Sequence, residues 1–379
     1  MYQSDRLEIG AISTVPFFNE FNNFIDDTEH LLCIEGNAIT IDETLFFTES
    51  VQLARRVLEI YKKYHDDFVE HISGSFNVVI YNKHSNTLKI FNDHFGYSFL
   101  YYYLDKDVFI FGPEAKLFLH YNKFDKKLNE KAIASFLSSK VILGNDTFFE
   151  KIHLLPQASI LEVKNGNVKI RTYWKPRYNP LDTKENSYFI DTAFELYRKA
   201  LRKRLPSDKA EEIILPLSGG LDSRLLLGSI SGDRPNIKIY THGQRSCLDY
   251  KIAQKVASTL HRSHSHELIE IDPEWIPAHA YETVWLNEGQ ADFTNGILLG
   301  IAKNIGMGKK TFINGIIGAH LSLGSLNFFS HDEIIQTRRI KNIHEKIFST
   351  LGFSSHKFFP FFLRDDFIKH FCDVSKENA

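Results

Sequence analysis

Ser218, Gly219, Gly220, Asp222 and Ser223 stand together in LPLSGGLDSRLLLG, from Leu215 to Gly228, and these residue types at this spacing suit the grip of an anion. Glycines lack Cβ atoms and let the backbone approach a phosphate closely, while serine hydroxyls add donors. A carboxylate in the same loop repels a bare polyphosphate. Asp222 therefore makes chemical sense as a ligand for Mg²⁺ that bridges to phosphate oxygens. The simpler alternative is a turn in which Asp222 caps a helix. The stretch is not a Walker A loop, because no GK[ST] follows at the required spacing, and it lacks the GxGxxG of a dinucleotide site.

The elements around the loop decide whether it can act. EIILPL before it reads as a buried strand, and SRLLLGSI after it opens a helix near Ser223, whose positive end and free N–H groups would face the anion. Such a turn at the carboxyl end of a parallel strand is where open α/β sheets bind ligands. SYFIDTAFELYRKALRKRL and DYKIAQKVASTL read as helices alternating with the strands IKIYTHG and HELIEI, which spells a parallel sheet with helices on both faces. Upstream, LLCIEG, ITIDETLFF, FNVVIYNKHSNTLKIFNDHFG and LYYYLDKDVFIFG alternate in period two, as hairpins of an antiparallel sheet do. VQLARRVLEIYKKY and EKAIASFLSSKVI interrupt them as helices, and Asn165–Gly166 marks a tight turn. The proline-containing polar stretch KPRYNPLDTKEN reads as a linker, so the expected domains are residues 1–178 and 187–379.

A chain of 379 residues accommodates two domains. Its 45 basic and 47 acidic side chains leave a formal charge of −2, and no global field points to nucleic acid. No apolar run approaches the length of a membrane span, and the chain opens without a secretory pattern. Cys33, Cys247 and Cys372 are too few and scattered for a disulfide framework or a zinc site. A soluble protein of the reducing cytoplasm is expected.

SGGLDS resembles the pyrophosphate loop of the N-type ATP pyrophosphatases, and the chain from about residue 30 to residue 325 resembles the class-B asparagine synthetases and their relatives. FVEHISGSFNVVIYNKHSNTLKIFNDHFGYSFLYYY is similar to the amino-terminal domain of that family, with Gly74, Phe76, Asp93, Gly96 and the tyrosines in register. FGPEAKLFL, TFFEKIHLLPQASIL, and Tyr173 with Trp174 are further landmarks. The resemblance implies an α+β domain of antiparallel sheets, of the N-terminal nucleophile (Ntn) hydrolase type, followed by an α/β domain of the adenine-nucleotide α-hydrolase type with a parallel sheet. It implies ATP and Mg²⁺, a small-molecule or peptide carboxylate that becomes adenylated as pyrophosphate leaves, and ammonia or an amine that attacks to form an amide. A homodimer is the assembly expected. Pro216, Thr241, Asn314 and Gly315 fall where the family contacts adenosine; Thr241 reads equally well as a strand-end residue satisfying backbone groups.

Three departures sharpen these expectations. Tyr2 stands where the family's glutaminase has a cysteine after the initiator methionine, and a phenol cannot replace that thiol. Cys33, inside LLCIEG, reads as a core residue. The nitrogen donor expected is therefore ammonia or a substrate amine, as in the related β-lactam synthetases and lasso-peptide cyclases. TFINGIIGAHLSLGSL keeps Gly315, Gly318 and Gly324 but has no acid, so Ala319 or His320 stands at the family's second metal aspartate, and Ile316 or Ile317 at a glutamate of the asparagine-forming members. Finally, the chain stops at Ala379, ahead of the helices that supply the family's catalytic lysine. No catalytic residue is assigned; Lys309 and Lys310 read as solvated turn residues. A nucleotide-binding relative without chemistry, or a piece of a longer ligase, are the competing readings. HRSHSHE, His261 to Glu267, reads as a polar connector and not a metal site, and Asp249, which resembles a family aspartate after the second strand, reads first as a helix N-cap and second as a substrate-binding residue.

Overall fold

Strands buried on both faces carry unbroken apolar runs, and Leu31 to Ile34 is such a run. The computed structural model describes residues 2–3, 7–9, 23–42, 44–46, 51–106, 108–139, 141–177, 184–206, 208–209, 211–230, 236–290, 293–306 and 310–315. Two compact units divide the chain, Met1–Pro113 with Leu154–Asp182, and Glu114–His153 with Thr183–Ala379.

In the first unit β1 (Tyr2–Gln3) pairs with β2 (Glu8–Ile9). β3 (Phe24–Asp26), β4 (His30–Ile41), β5 (Thr44–Phe46), β6 (Ile72–Asn82), β7 (Thr87–Asn92), β11 (Ser159–Lys164) and β12 (Asn167–Thr172) form one antiparallel sheet. Its order is β12-β11-β7-β6-β4-β3, with β5 on β4. β8 (Tyr101–Asp105) and β9 (Val108–Gly112) make an antiparallel hairpin. Alternate side chains leave the large sheet in opposite directions. Leu32 and Ile34 of β4 and Phe76, Val78 and Ile80 of β6 meet helix α1 (Val51–Tyr64), whose Leu53, Val57, Leu58 and Tyr61 recur at helical spacing. Leu31, Cys33, Val79 and Tyr81 face a second core with Leu100, Tyr102 and Phe109. Asn165 and Gly166, at φ 50° and 77°, close the β11–β12 hairpin as their types predict.

One buried carboxylate organises the turn after β7. Asp93 Oδ1 accepts the N–H groups of Phe95 at 2.9 Å and Tyr97 at 3.1 Å, and Oδ2 accepts those of Ser98 at 3.2 Å and Phe76 at 3.4 Å. Gly96 turns the chain there at φ 61°. The Tyr173 hydroxyl donates to the Asn92 carbonyl at 2.7 Å, and Trp174 lies edge-on to His94 and Phe95. Phe76, Asp93, Gly96, Tyr173 and Trp174 thus belong to one local construction.

The second unit holds α2 (Glu130–Ser139), after which β10 (Ile152–Leu154) follows on the chain. It continues with α3 (Asn186–Arg204), β13 (Glu212–Pro216), α4 (Leu221–Ile230), β14 (Ile237–Gly243) and α5 (Leu248–Thr259). β15 (His266–Glu270), α6 (Trp275–Leu286), α7 (Gly296–Ile305) and β16 (Lys310–Phe312) complete it. The sheet is parallel, in the order β15-β14-β13-β16. Ile213, Leu215, Ile237 and Ile239 pack with Leu226 and Leu227 of α4 and Ala253 and Ala257 of α5. Ile214, Tyr240 and Ile269 pack on the opposite face with Ile301 and Ile305 of α7. The chain leaves β13 toward β14 on one side and returns at β16 on the other. The carboxyl end of β13 is therefore a topological switch point, where open sheets form a crevice.

Lys310 departs from its expected place in a solvated turn. It belongs to β16, opposite Glu212 in the register, and its Nζ donates to the Ile305 carbonyl at 3.0 Å and sits 3.4 Å from Glu212. A three-residue strand is too short for periodicity to reveal. Lys309 lies outside the described residues, within which no helix is long and apolar enough to cross a membrane.

Candidate functional site

β13 ends at Pro216, and the Leu217 N–H donates to the Tyr240 carbonyl at 2.8 Å, so the ladder holds the chain up to the loop. α4 starts at Leu221, two residues earlier than expected, which places Asp222 and Ser223 in its first turn. The apolar run marks Ser223 as the start only because the loop's own bonds are invisible in it. Ser223 Oγ accepts the Ser218 N–H at 3.1 Å, and Ser218 Oγ accepts the Gly220 N–H at 3.1 Å. The two hydroxyls are 3.1 Å apart. Loop and first turn form one hydrogen-bonded unit.

The Gly219 N–H donates to Asp249 Oδ1 at 2.8 Å. A Cβ on Gly219 would stand 2.7 Å from that oxygen, so close approach demands glycine here. Asp249 is consequently not the N-cap of α5. Cys247 holds that position, its Sγ accepting the Tyr250 N–H at 3.4 Å, and Asp249 in the first turn reaches across to the loop. An acid opening the helix after the neighbouring strand is the signal that could have revealed this bond.

Thr241 is buried behind the loop. Its Oγ1 donates to the Leu217 carbonyl at 2.7 Å and lies 2.8 Å from His266 Nε2, which the network assigns as the protonated ring nitrogen. The hydroxyl thus serves backbone and strand, as the strand-end reading has it. Burial draws the His266 pKa below the ordinary imidazole value and keeps the ring neutral. As pH falls through about 6.5 the unfolded chain takes up this proton first, so the stability His266 contributes is full above that pH and shrinks below it. His266→Gln is expected to flatten the fall in urea midpoint between about pH 7 and pH 5; an unchanged slope would remove His266 from this role.

Across the sheet, the Ile313 N–H continues β16 by donating to the Ile214 carbonyl at 3.1 Å. Asn314 is exposed, and Gly315 lies against Asp222, where an added Cβ would come within 3.1 Å of the Asp222 Cβ. The structure therefore brings Pro216, the Ser218–Ser223 loop, Asn314 and Gly315 to one sheet edge, and adds Asp249. Ile316, Ile317, Gly318, Ala319, His320 and Gly324 lie outside the described residues. The donors at the loop, the Asp222 carboxylate and two serine hydroxyls, are all oxygen. That suits Mg²⁺, which keeps several waters and needs one or two carboxylates beside substrate phosphates. Of the segment His261 to Glu267, read from sequence as a connector, His261 to Ser265 run between α5 and β15 with one short helical turn at Ser263–Ser265, whereas His266 and Glu267 already belong to β15.

Two further features lie away from the loop. Cys33 sits on β4 against the second core, and its thiol is pushed up to about 11 by burial and the neighbouring Glu35 charge, as befits a core residue. A cavity of about 240 Å³ in the second unit is lined by Lys116, Phe148, Trp285 and Glu288 among others, and by no loop residue.

Residues 47–174 match the glutamine amidotransferase domain family. The chain is 23% identical over 207 residues to asparagine synthetase (glutamine-hydrolyzing) 1 of Bacillus subtilis, covering 54% of this chain and 32% of that protein. To asparagine synthetase (glutamine-hydrolyzing) 2 of the same organism it is 25% identical over 249 residues, covering 61% and 33%. To amidase chry2 of Gibberella zeae it is 23% identical over 305 residues, covering 73% and 44%. The chain thus spans less than half the length of these relatives. A solved structure, glutamine phosphoribosylpyrophosphate amidotransferase from B. subtilis with ADP and GMP, aligns at a TM-score of 0.26 and 8% identity over 66% of this chain and 48% of that one, too distant to support an argument.

Proposed function

We infer that this chain of the asparagine-synthase-like family is an ATP-dependent amide-forming ligase that uses ammonia or an amine as nitrogen donor. The observation carrying the reading is the Ser218–Ser223 loop at the switch point of the parallel sheet, with its N–H groups, hydroxyls and helix start gathered at the carboxyl end of β13. The relatives named above as asparagine synthetases and an amidase support amide chemistry.

In the proposed first step a carboxylate oxygen attacks the α-phosphorus of ATP. The bond from that phosphorus to the bridging oxygen breaks, and pyrophosphate leaves with the electron pair. In the second step an amine nitrogen attacks the acyl carbonyl, loses a proton, and AMP departs. The loop N–H groups and the start of α4 stabilise the charge gathering on pyrophosphate. For the Gly219 N–H to join them, Asp249 must release it. Asp222 would hold Mg²⁺, which supplies positive charge to the phosphate oxygens when bound. Pro216, Asn314 and Gly315 border the space proposed for adenosine.

A second reading, nucleotide binding without turnover, is favoured by the absence of any acid from Thr311 to Leu326. The two are separated by incubating the protein with Mg–ATP, ammonium and a panel of carboxylates. Pyrophosphate release that depends on the carboxylate is the result expected. Binding of Mg–ATP without release would leave the second reading, and no binding at all would sink both.

A further inference from the structure

We propose that Arg224 is a phosphate-binding residue of this loop that sets its preference for pyrophosphate-bearing ligands; the proposal rests on the nucleotide reading above. Arg224 lies in the first turns of α4, immediately after SGGLDS. Helical Cα–Cβ bonds tilt toward the N-terminus, so its side chain runs back along the loop. There its Nε donates to the Gly220 carbonyl at 3.1 Å. Among the described residues its two Nη groups have no hydrogen bond and no carboxylate partner.

The placement runs against local electrostatics. A helix start carries partial positive charge, so a cation there is unfavourable unless an anion joins it. Lys62 and Lys63 in the last turn of α1 and Arg202, Lys203 and Arg204 in the last turn of α3 stand where the rule favours cations. Rules broken locally without a protein partner mark positions set by function. The guanidinium is planar, permanently charged and forked, and it matches two phosphate oxygens at once. With Nε tied to the loop carbonyl, less freedom remains to lose on binding. Arg224 therefore builds into the chain part of the positive charge that a polyphosphate requires. The loop should keep measurable affinity for pyrophosphate even when Mg²⁺ is chelated.

The experiment is calorimetric titration of the full chain with inorganic pyrophosphate and, separately, adenosine, with Mg²⁺ or with EDTA, in wild type, R224K and R224Q. R224Q is expected to weaken pyrophosphate binding about 10- to 100-fold in both conditions, the size of a lost hydrogen bond to a charged group. R224K should recover only part of that loss, and adenosine affinity should stay within about twofold. The thermal midpoint of R224Q should match or exceed wild type, because a cation has left the positive helix end. Pyrophosphate binding by R224Q within twofold of wild type would overturn the proposal while leaving the ligase reading in place. So would a lower midpoint with pyrophosphate and adenosine affinities falling together, since that marks a structural role. Failure of wild type to bind either Mg–ATP or pyrophosphate would remove the nucleotide reading and this proposal with it.

Discussion

Asp222→Ala is expected to lower Mg–ATP affinity at least about 100-fold, on the order of 3 kcal/mol, while leaving the fold intact. Asp222 is half-buried in the first turn of α4, and its Cβ and backbone are what Gly315 touches. Alanine keeps that contact and raises helix propensity, so only the carboxylate is removed. Mg²⁺ favours hard oxygen ligands, and this site offers few charges to share its load. In EDTA the variant should bind pyrophosphate as well as wild type or better, because a like charge has gone. That sign separates it from the Arg224 change, which weakens both conditions. Equilibrium dialysis with and without metal measures the difference; unchanged Mg–ATP binding would refute the assignment of the ion.

Asp93→Ala is expected to destabilise the first unit by about 3 to 5 kcal/mol, because it strands backbone donors around a buried position. Four N–H groups converge on this carboxylate, and Phe76 and Asp93 are both buried. Trp174 stands beside the turn that Asp93 holds, within 5.5 Å of Phe95 ring to ring. Its fluorescence therefore reports on this unit once Trp275 and Trp285, in the other unit, are replaced by phenylalanine. Urea unfolding followed at Trp174 should show the loss. A change below about 1 kcal/mol would mean that water satisfies those donors and that Asp93 is dispensable for the turn.

The two sheets were legible because their cause is local. The unbroken apolar runs Leu31 to Ile34 and Val78 to Tyr81 follow from burial on both faces, and Asn165–Gly166 needs only its own dihedrals. EIILPL followed by glycines, and the helix–strand rhythm around it, placed the loop at a sheet edge. What the sequence hid is what crosses the chain. Asp249 meets Gly219 over 30 positions and His266 meets Thr241 over 25, and neither bond leaves a periodic trace. The start of α4 differs from the sequence reading for the same reason, since serine side chains bond the Ser218 and Gly220 N–H groups just ahead of it. Cys33 was readable as core because a lone cysteine in an apolar strand has one economical home.

The position of Gly315 ties the Ser218–Ser223 loop to the rim of the sheet. Among the described residues β16 is three residues long and pairs with β13 alone, which is the mark of elements that open at low free energy. Each opening would carry Gly315 away from Asp222 and leave the first turn of α4 unbacked. Apparent affinity is then the intrinsic affinity scaled by the fraction of time the rim is closed. If the loop binds nucleotide as proposed, anything that pairs with or frays Lys310–Phe312 would tune that binding from a distance, without a single contact to the ligand.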